Sequence, residues 1–256
     1  MNHLRKFELE NDYLQAKDSF VYPNVSYIVE KNLLYYMQKT KYDFVDLGLP
    51  SGLKWAAWNV GATKPEESGL YFAWGEDKGY VVTRGELQDE SQCVYTAVIT
   101  NADGTETTKT FAYDLSDYEH YENDAYTKYN GTDGLTTLET EDDGCYLTKK
   151  TMRMPTYDDC VELVQNTTSA WTENYNGSGI NGLTLTSKTN GNSIFVPAVG
   201  AVHGGVLFNF GLFGLFWSSS LYSSVEFAFF FDFYSDYLDV DNDFRFFGLP
   251  LRAVRP

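Results

Sequence analysis

Asp239, Asp241 and Asp243, in the run "DVDND", come nearest to a metal-ligand set in this chain, because carboxylates at alternate positions open an EF-hand calcium loop. That loop also needs glycine at its sixth position and glutamate at its twelfth, where Phe244 and Pro250 stand. The aspartates therefore read as solvated side chains, and no metal or other cofactor is expected. Cys93, Cys145 and Cys160 cannot all pair with one another and show no CxxC or Cys/His ligand spacing, so they read as reduced or incidental thiols. His3 and His120 have no evident partner. HExxH, GxSxG, P-loop and Cys–His arrangements are all missing, and no catalysis is expected.

What these residue types do offer is contact area. The stretch "SSVEFAFFFDFYSDYLDVDNDFRFFG", residues 223–248, holds eight phenylalanines with aspartates scattered among them. A half-buried strand needs apolar residues on one face only, and here both parities carry rings.

The elements that position these rings can be read from pattern. A chain of 256 residues suits one large domain, or one with a small appendage, and buries a core without metals or disulfides. Residues 1–42 include "VYPNVSYIVEKNLLYYMQ", which alternates like one or two strands and is expected to serve attachment or oligomerisation. From Tyr42 the texture changes: "YDFVDLGLPSGLKWAAWNVGA" reads as strand, Pro-Ser-Gly turn, strand, followed by the aromatic strand in "GLYFAWGED". Residues 77–150 carry long polar runs and read as hairpins and loops inserted in the domain, and the Thr-, Asp- and Gly-rich composition of residues 101–145 is that of an exposed insertion. The best helix is in "RMPTYDDCVELVQNT", where Thr156 caps, Asp158 and Asp159 sit in the first turn, and Cys160, Leu163 and Val164 share a face. Asn190-Gly191 then joins two strands as a hairpin.

The net charge of −17 argues against a phosphate-backbone binder, which needs a basic patch, and disfavours an anionic membrane surface, so no nucleic-acid partner is expected. No apolar run approaches a membrane span, so no membrane insertion is expected. The start "MNHLRKFELENDYLQAKDSF" has basic residues but no apolar stretch after them, so no signal peptide is expected. The protein is then expected in the cytoplasm before assembly, or leaving the cell inside a virus particle.

A composition break falls near residue 200. Lys, Gln, Met and Glu occur 38 times and only once beyond residue 200, at Glu226. Even spreading would place about eight there. Twelve of the 18 phenylalanines lie in the same tail, which nonetheless keeps Asp232, Asp236, Asp239, Asp241 and Asp243. Randomising the first two bases of an Asn codon, AAY, yields fifteen residue types, and Lys, Gln, Met, Glu and Trp are not among them. The tail uses that set apart from Trp217 and Glu226.

The blocks "VDLGLPSGLKWA", "FAWGE", "RMPT", "WSSS" and "RFFGLPLRAVRP" together resemble C-type-lectin-fold proteins of gut Bacteroidota and their phages, over residues 42–256. The tail composition resembles that of the variable protein of a diversity-generating retroelement, in which an error-prone reverse transcriptase rewrites the 3′ end of the gene at template adenines. Trp58 departs from the pattern, since many relatives carry Cys there.

The resemblance implies an α+β, C-type lectin fold over residues 43–256, with small antiparallel sheets, flanking helices, long loops, and a variable region around residues 202–251. It makes Phe229, Phe231 and Phe233 core, with Leu238, Val240, Trp217, Arg245, Gly248 and Leu251 as skeleton. It makes a ligand-binding surface of His203, Val206, Phe208, Phe210, Leu212, Phe213, Leu215, Leu221, Tyr222, Val225 and Phe227. The same surface continues through Phe230, Asp232, Tyr234, Asp236, Tyr237, Asp239, Asp241, Asp243, Phe244, Phe246, Phe247 and Leu249. The implied partner is a cell-surface protein or glycan, bound by a phage receptor-binding or tail-tip protein, with a homo-oligomer such as a trimer considered for its assembly. The alternatives are an invariant structural or adhesin-type module of a Bacteroidota cell and, behind it, a calcium-dependent lectin.

Overall fold

Alternating apolar and polar residues in short runs between Gly- and Pro-containing turns become short antiparallel strands. The computed structural model describes residues 42–82, 95–100 and 106–256. The expected N-terminal appendage (apart from Tyr42), His3 and Cys93 lie outside the described residues. The first part of the chain forms β1 (Phe44–Asp46), β2 (Lys54–Ala56), β3 (Leu70–Phe72), β4 (Tyr80–Val81), β5 (Tyr95–Thr100), β6 (Glu106–Phe111), β7 (Tyr121–Glu122) and β8 (Ala125–Tyr126). Two helices follow, α1 (Gly144–Thr148) and α2 (Tyr157–Asn166). Then come β9 (Thr167–Thr172), β10 (Gly182–Ser187), β11 (Ser193–Pro197), β12 (Ala201–His203), β13 (Val206–Phe208) and β14 (Gly214–Leu221). The chain closes with β15 (Phe227–Tyr234), β16 (Tyr237–Phe244), β17 (Leu249–Pro250) and β18 (Val254–Arg255).

These strands make several small antiparallel sheets, an arrangement compatible with the α+β class. The C-terminal β18 pairs with β2 beside β1, and β17 pairs with β3 beside β4, so the end of the chain is built into its beginning. The Pro-Ser-Gly turn joins β1 to β2, with the Gly52 N–H donating to the Leu49 carbonyl at 2.9 Å. The loop around Asn190-Gly191 joins β10 to β11, with Gly191 at φ 76°. At Gly200 the backbone (φ 65°) runs so close to β13 that a Cβ would stand 1.9 Å from the Phe208 carbonyl oxygen, which only glycine avoids.

Helix α2 forms as its sequence indicates. The Thr156 hydroxyl accepts from the Asp159 N–H at 3.2 Å, the Asp159 carboxylate accepts from the Thr156 N–H at 2.8 Å, and Arg153 binds the same carboxylate at 2.7 Å. Cys160 and Leu163 are buried against Phe216, Phe231 and Phe233 of the β14–β15–β16 sheet. The "WSSS" block completes the joint. Ser219 donates its N–H to the Pro155 carbonyl at 2.7 Å, and the Ser220 hydroxyl accepts from the Tyr157 N–H at 3.0 Å. The β14–β15 register shifts between Trp217 and Leu221, a bulge that turns these serines toward the start of α2.

Two tryptophans clasp the tail to the front of the chain. Trp217 Nε1 donates to the Phe72 carbonyl at 2.9 Å, and Trp74 Nε1 donates to the Ser218 carbonyl at 2.8 Å. The polar region 77–150 is less peripheral than its composition suggests. It supplies the β5–β6 and β7–β8 hairpins and the short helix α1, capped by Asp143. Its Tyr113, Tyr118 and Tyr129 are buried, which corrects the reading of residues 101–145 as an exposed insertion. These apolar rings turn inward from between polar runs that face solvent.

Candidate functional site

Arg245 is the fixed point of the tail. Its guanidinium is fully buried, donating to the Tyr118 hydroxyl (3.0 Å) and to the carbonyls of Tyr129 (3.1 Å), Val225 (2.9 Å) and Lys128 (3.0 Å). The rings of Trp74, Tyr118, Tyr126 and Tyr129 surround it with centroids 4.7–5.7 Å away. A desolvated cation held by π faces and carbonyl dipoles is a rigid support, since each donor has a fixed partner. Burial pushes the Tyr118 phenol up, so it stays neutral and donates in turn to the Trp74 carbonyl at 2.6 Å.

Around this support the tail sorts into core, aromatic rim and acidic face. Phe231 and Phe233 are core, as expected, each contributing about 1.5–3 kcal/mol by burial. Trp217, Arg245, Gly248 and Leu251 are buried and Leu238 and Val240 pack partly buried on the core, in agreement with the skeleton. Three expected surface residues are instead interior: Phe230 (5% exposed), Phe246 (8%) and Leu249 (0%). The physical reason is that, where β14 carries Trp217, the β14–β16 sheet is covered on both sides. Phe230 shares a face with its register partner Trp217 and packs edge-on against it at 6.0 Å, inside the second core cluster with Ala228. Phe246 leaves the sheet and enters the core beside Tyr113 and Tyr118, while Leu249 pairs with Phe72 inside β17–β3. Phe229, expected as core, is only half-buried, because it lies beyond the apolar face of α2 against Tyr157 and Tyr222.

The aromatic rim is continuous. Ring centroids run from Phe229 to Tyr222 (5.1 Å), Tyr222 to Phe227 (6.4 Å), Phe227 to Phe244 (4.6 Å) and Phe244 to Phe247 (6.0 Å). They continue from Phe247 to His203 (4.4 Å) and His203 to Phe208 (6.0 Å). Phe244 is exposed and the others are half-buried, a geometry of bodies packed and faces presented. Tyr157, from the framework, extends the rim by its contact with Phe229 at 4.4 Å. Sequence reasoning missed it; a tyrosine at the first turn of a capped amphipathic helix, off its apolar stripe, was the available signal.

The acidic face lies on the hairpin end of the same sheet. Register sets Leu215, Asp232 and Asp239 abreast, and Asp241 in the next row beside Phe230. Asp239 and Asp241 are exposed and Asp232 half-buried, with its Oδ1 out of reach of water and without a hydrogen-bond partner. Burial, with the like charges of Asp241 and Asp239, pushes the Asp232 carboxyl up to about 7. Tyr234 and Tyr237 stack at 4.8 Å over the hairpin turn that carries Asp236, and Phe213 meets Tyr234 at 5.1 Å. Burial also raises Asp243, opposed by the Phe244 N–H and by His203, and this residue links the acidic face to the rim. Of the remaining expected positions, Val206, Phe210, Leu221 and Val225 are half-buried, and Leu212 is 60% exposed on the loop before β14.

Cys145 and Cys160 are buried and burial raises both thiols, which keeps them protonated and poorly nucleophilic. His120 is buried with Nε2 2.9 Å from the Gly75 carbonyl. Among the described residues no three His, Cys, Asp or Glu side chains group so as to hold a metal ion; the "DVDND" aspartates spread along one strand face. A recess lined by Ala73, Tyr80, Tyr113, Tyr118 and Phe246 measures about 10 Å³, roughly room for one water. Comparison with protein-family models, curated proteins and solved structures finds no match to this chain.

Proposed function

We propose that the chain is a ligand-binding protein of C-type lectin fold whose tail, residues 202–251, is a diversified recognition surface for a protein or glycan on a cell. The observation that carries this reading is the continuous rim from Phe229 through Phe244 to Phe208, held over a fully buried arginine support. Phenylalanine and tyrosine offer large contact area at small rotamer cost, and binding hot spots favour such rings. Small antiparallel sheets flanked by helix α2 are compatible with the fold, and the loss of Lys, Gln, Met and Glu beyond residue 200 fits adenine-directed rewriting. A phage receptor-binding or tail-tip protein is the setting we favour.

A second reading is favoured at three positions. Phe230, Phe246 and Leu249 are interior, as an invariant lectin-fold module with an aromatic core requires. Sequencing the genome that carries the gene separates the two. A near-identical repeat beside a reverse-transcriptase gene, differing at adenines and mapping to rim and acidic-face codons, supports diversification. Lack of any such repeat would overturn it and leave the invariant module.

A further inference from the structure

We propose that the recess between Tyr80, Tyr113, Tyr118 and Phe246 binds a primary ammonium group, such as the head of a lysine side chain or of a free alkylamine. The site is separate from the recognition surface proposed above and draws its walls mainly from residues 73–118.

Aromatic walls carry the inference. Four rings line a space of about 10 Å³, which admits a single water-sized group, and an ammonium head is of that size. The walls are fixed. The Tyr113 hydroxyl donates to the Tyr71 carbonyl at 2.5 Å and the Tyr118 hydroxyl to the Trp74 carbonyl at 2.6 Å, so both polar ends are tied to main chain and the rings remain as lining. Tyr80 meets Tyr113 edge-on at 6.3 Å, and Phe246 is stacked on Phe244 at 5.2 Å. Rings held in this way attract a cation through their π faces.

Charge selects the same ligand. The lining also includes Glu76, Asp114 and Asp117. Each carboxylate is held by a backbone N–H that it accepts, Glu76 from Glu119 (2.9 Å), Asp114 from Leu115 (2.8 Å) and Asp117 from Ala112 (2.8 Å). Arg245 lies 5.3 Å from the Tyr118 ring and opposes a second cation, but it is one charge against three. A guanidinium or tetramethylammonium head is broader than the space. A divalent metal needs converging oxygens, and among the described residues no three carboxylates group so as to hold one. A primary ammonium is compact, strongly cationic and donates from three N–H groups, which suits carboxylates set around a narrow aromatic recess.

NMR titration of the full chain at neutral pH, with n-butylammonium chloride and separately with Nα-acetyl-lysine amide, tests the proposal. Saturable shifts are expected, with NOEs from the methylene next to the ammonium to the rings of Tyr80, Tyr118 and Phe246. Affinity is expected to fall about tenfold in Glu76→Gln/Asp117→Asn, where each new amide keeps an oxygen for its backbone N–H. A charge-matched control, Glu122→Gln/Glu173→Gln, changes two exposed carboxylates away from the recess and is expected to leave affinity within about twofold. Equal loss in both double variants would reduce the effect to bulk attraction by an acidic protein and overturn the site. So would butanol or tetramethylammonium binding as well as butylammonium, or no saturable shift with either amine. Binding of butylammonium alone would support a free amine as the ligand, and binding of the lysine amide would support a partner's lysine. The genome test stands apart: lack of an adenine-directed repeat leaves this site in place, and a failed amine titration leaves the recognition surface.

Discussion

Arg245 and Tyr118 are hydrogen-bonded at 3.0 Å across 127 positions of sequence, joining the C-terminal tail to a segment whose polar composition suggested a surface insertion. Replacing Arg245 with Met would leave three carbonyls and a phenol buried without their donor. A loss of about 3–5 kcal/mol is expected in urea unfolding, against about 1 kcal/mol for Tyr118→Phe. Similar losses in the two variants would mean the cage is not what holds the tail.

Asp232 makes stability fall as pH rises. Its folded carboxyl titrates near 7 against 3.8 in the unfolded chain, so below 3.8 both states are protonated and nothing is lost. Between those values the unfolded state ionises first and draws the equilibrium toward itself. Asp232→Asn is therefore expected to stabilise by about 1–2 kcal/mol at pH 8, allowing for solvent screening of a half-exposed group, and to gain nothing at pH 3.5. Thermal unfolding at the two pH values reads this directly.

Core and rim should answer substitution differently. Phe231→Ser and Phe230→Ser are expected to cost about 3–5 kcal/mol, since both rings are interior. Phe244→Ser, at an exposed position, is expected to cost less than about 1 kcal/mol. Denaturant midpoints for the three variants decide it; a tolerant Phe230 would return that residue to the variable surface.

Thr156→Ala removes half of a reciprocal cap on the helix beneath the sheet. About 1 kcal/mol should be lost, with Thr156→Ser retaining most of it. A null effect in chemical unfolding would show that Arg153 and Asp159 suffice to start α2.

Local features were legible in the sequence. The capping box at Thr156 and Asp159 and the turns at Gly52 and Gly191 depend on neighbours a few residues apart, where residue type alone restricts geometry. The resemblance made Phe231 and Phe233 core, as they are, but also placed Phe229 in the core and Phe230 at the surface, where the structure puts neither. Parity assigns a side chain to a side of the sheet, and Trp217 decides where along the strand that side is covered. Arg245 was recognised as part of a skeleton, but its partners Lys128, Tyr129 and Val225 are brought together only by the tertiary fold. The acidic face likewise needed the β15–β16 register, which sets Asp239 opposite Asp232.

Three of the four groups that Arg245 grips are main-chain carbonyls, one of them at Val225, within the stretch read as variable. A carbonyl is the same whichever amino acid carries it, so this fastening is blind to side-chain identity at the positions it secures. Ser218 does likewise when its hydroxyl donates to the Phe229 carbonyl at 2.8 Å. If the stretch varies as proposed, these fastenings hold it through main-chain groups, so a change of side chain at Val225 or Phe229 leaves them in place.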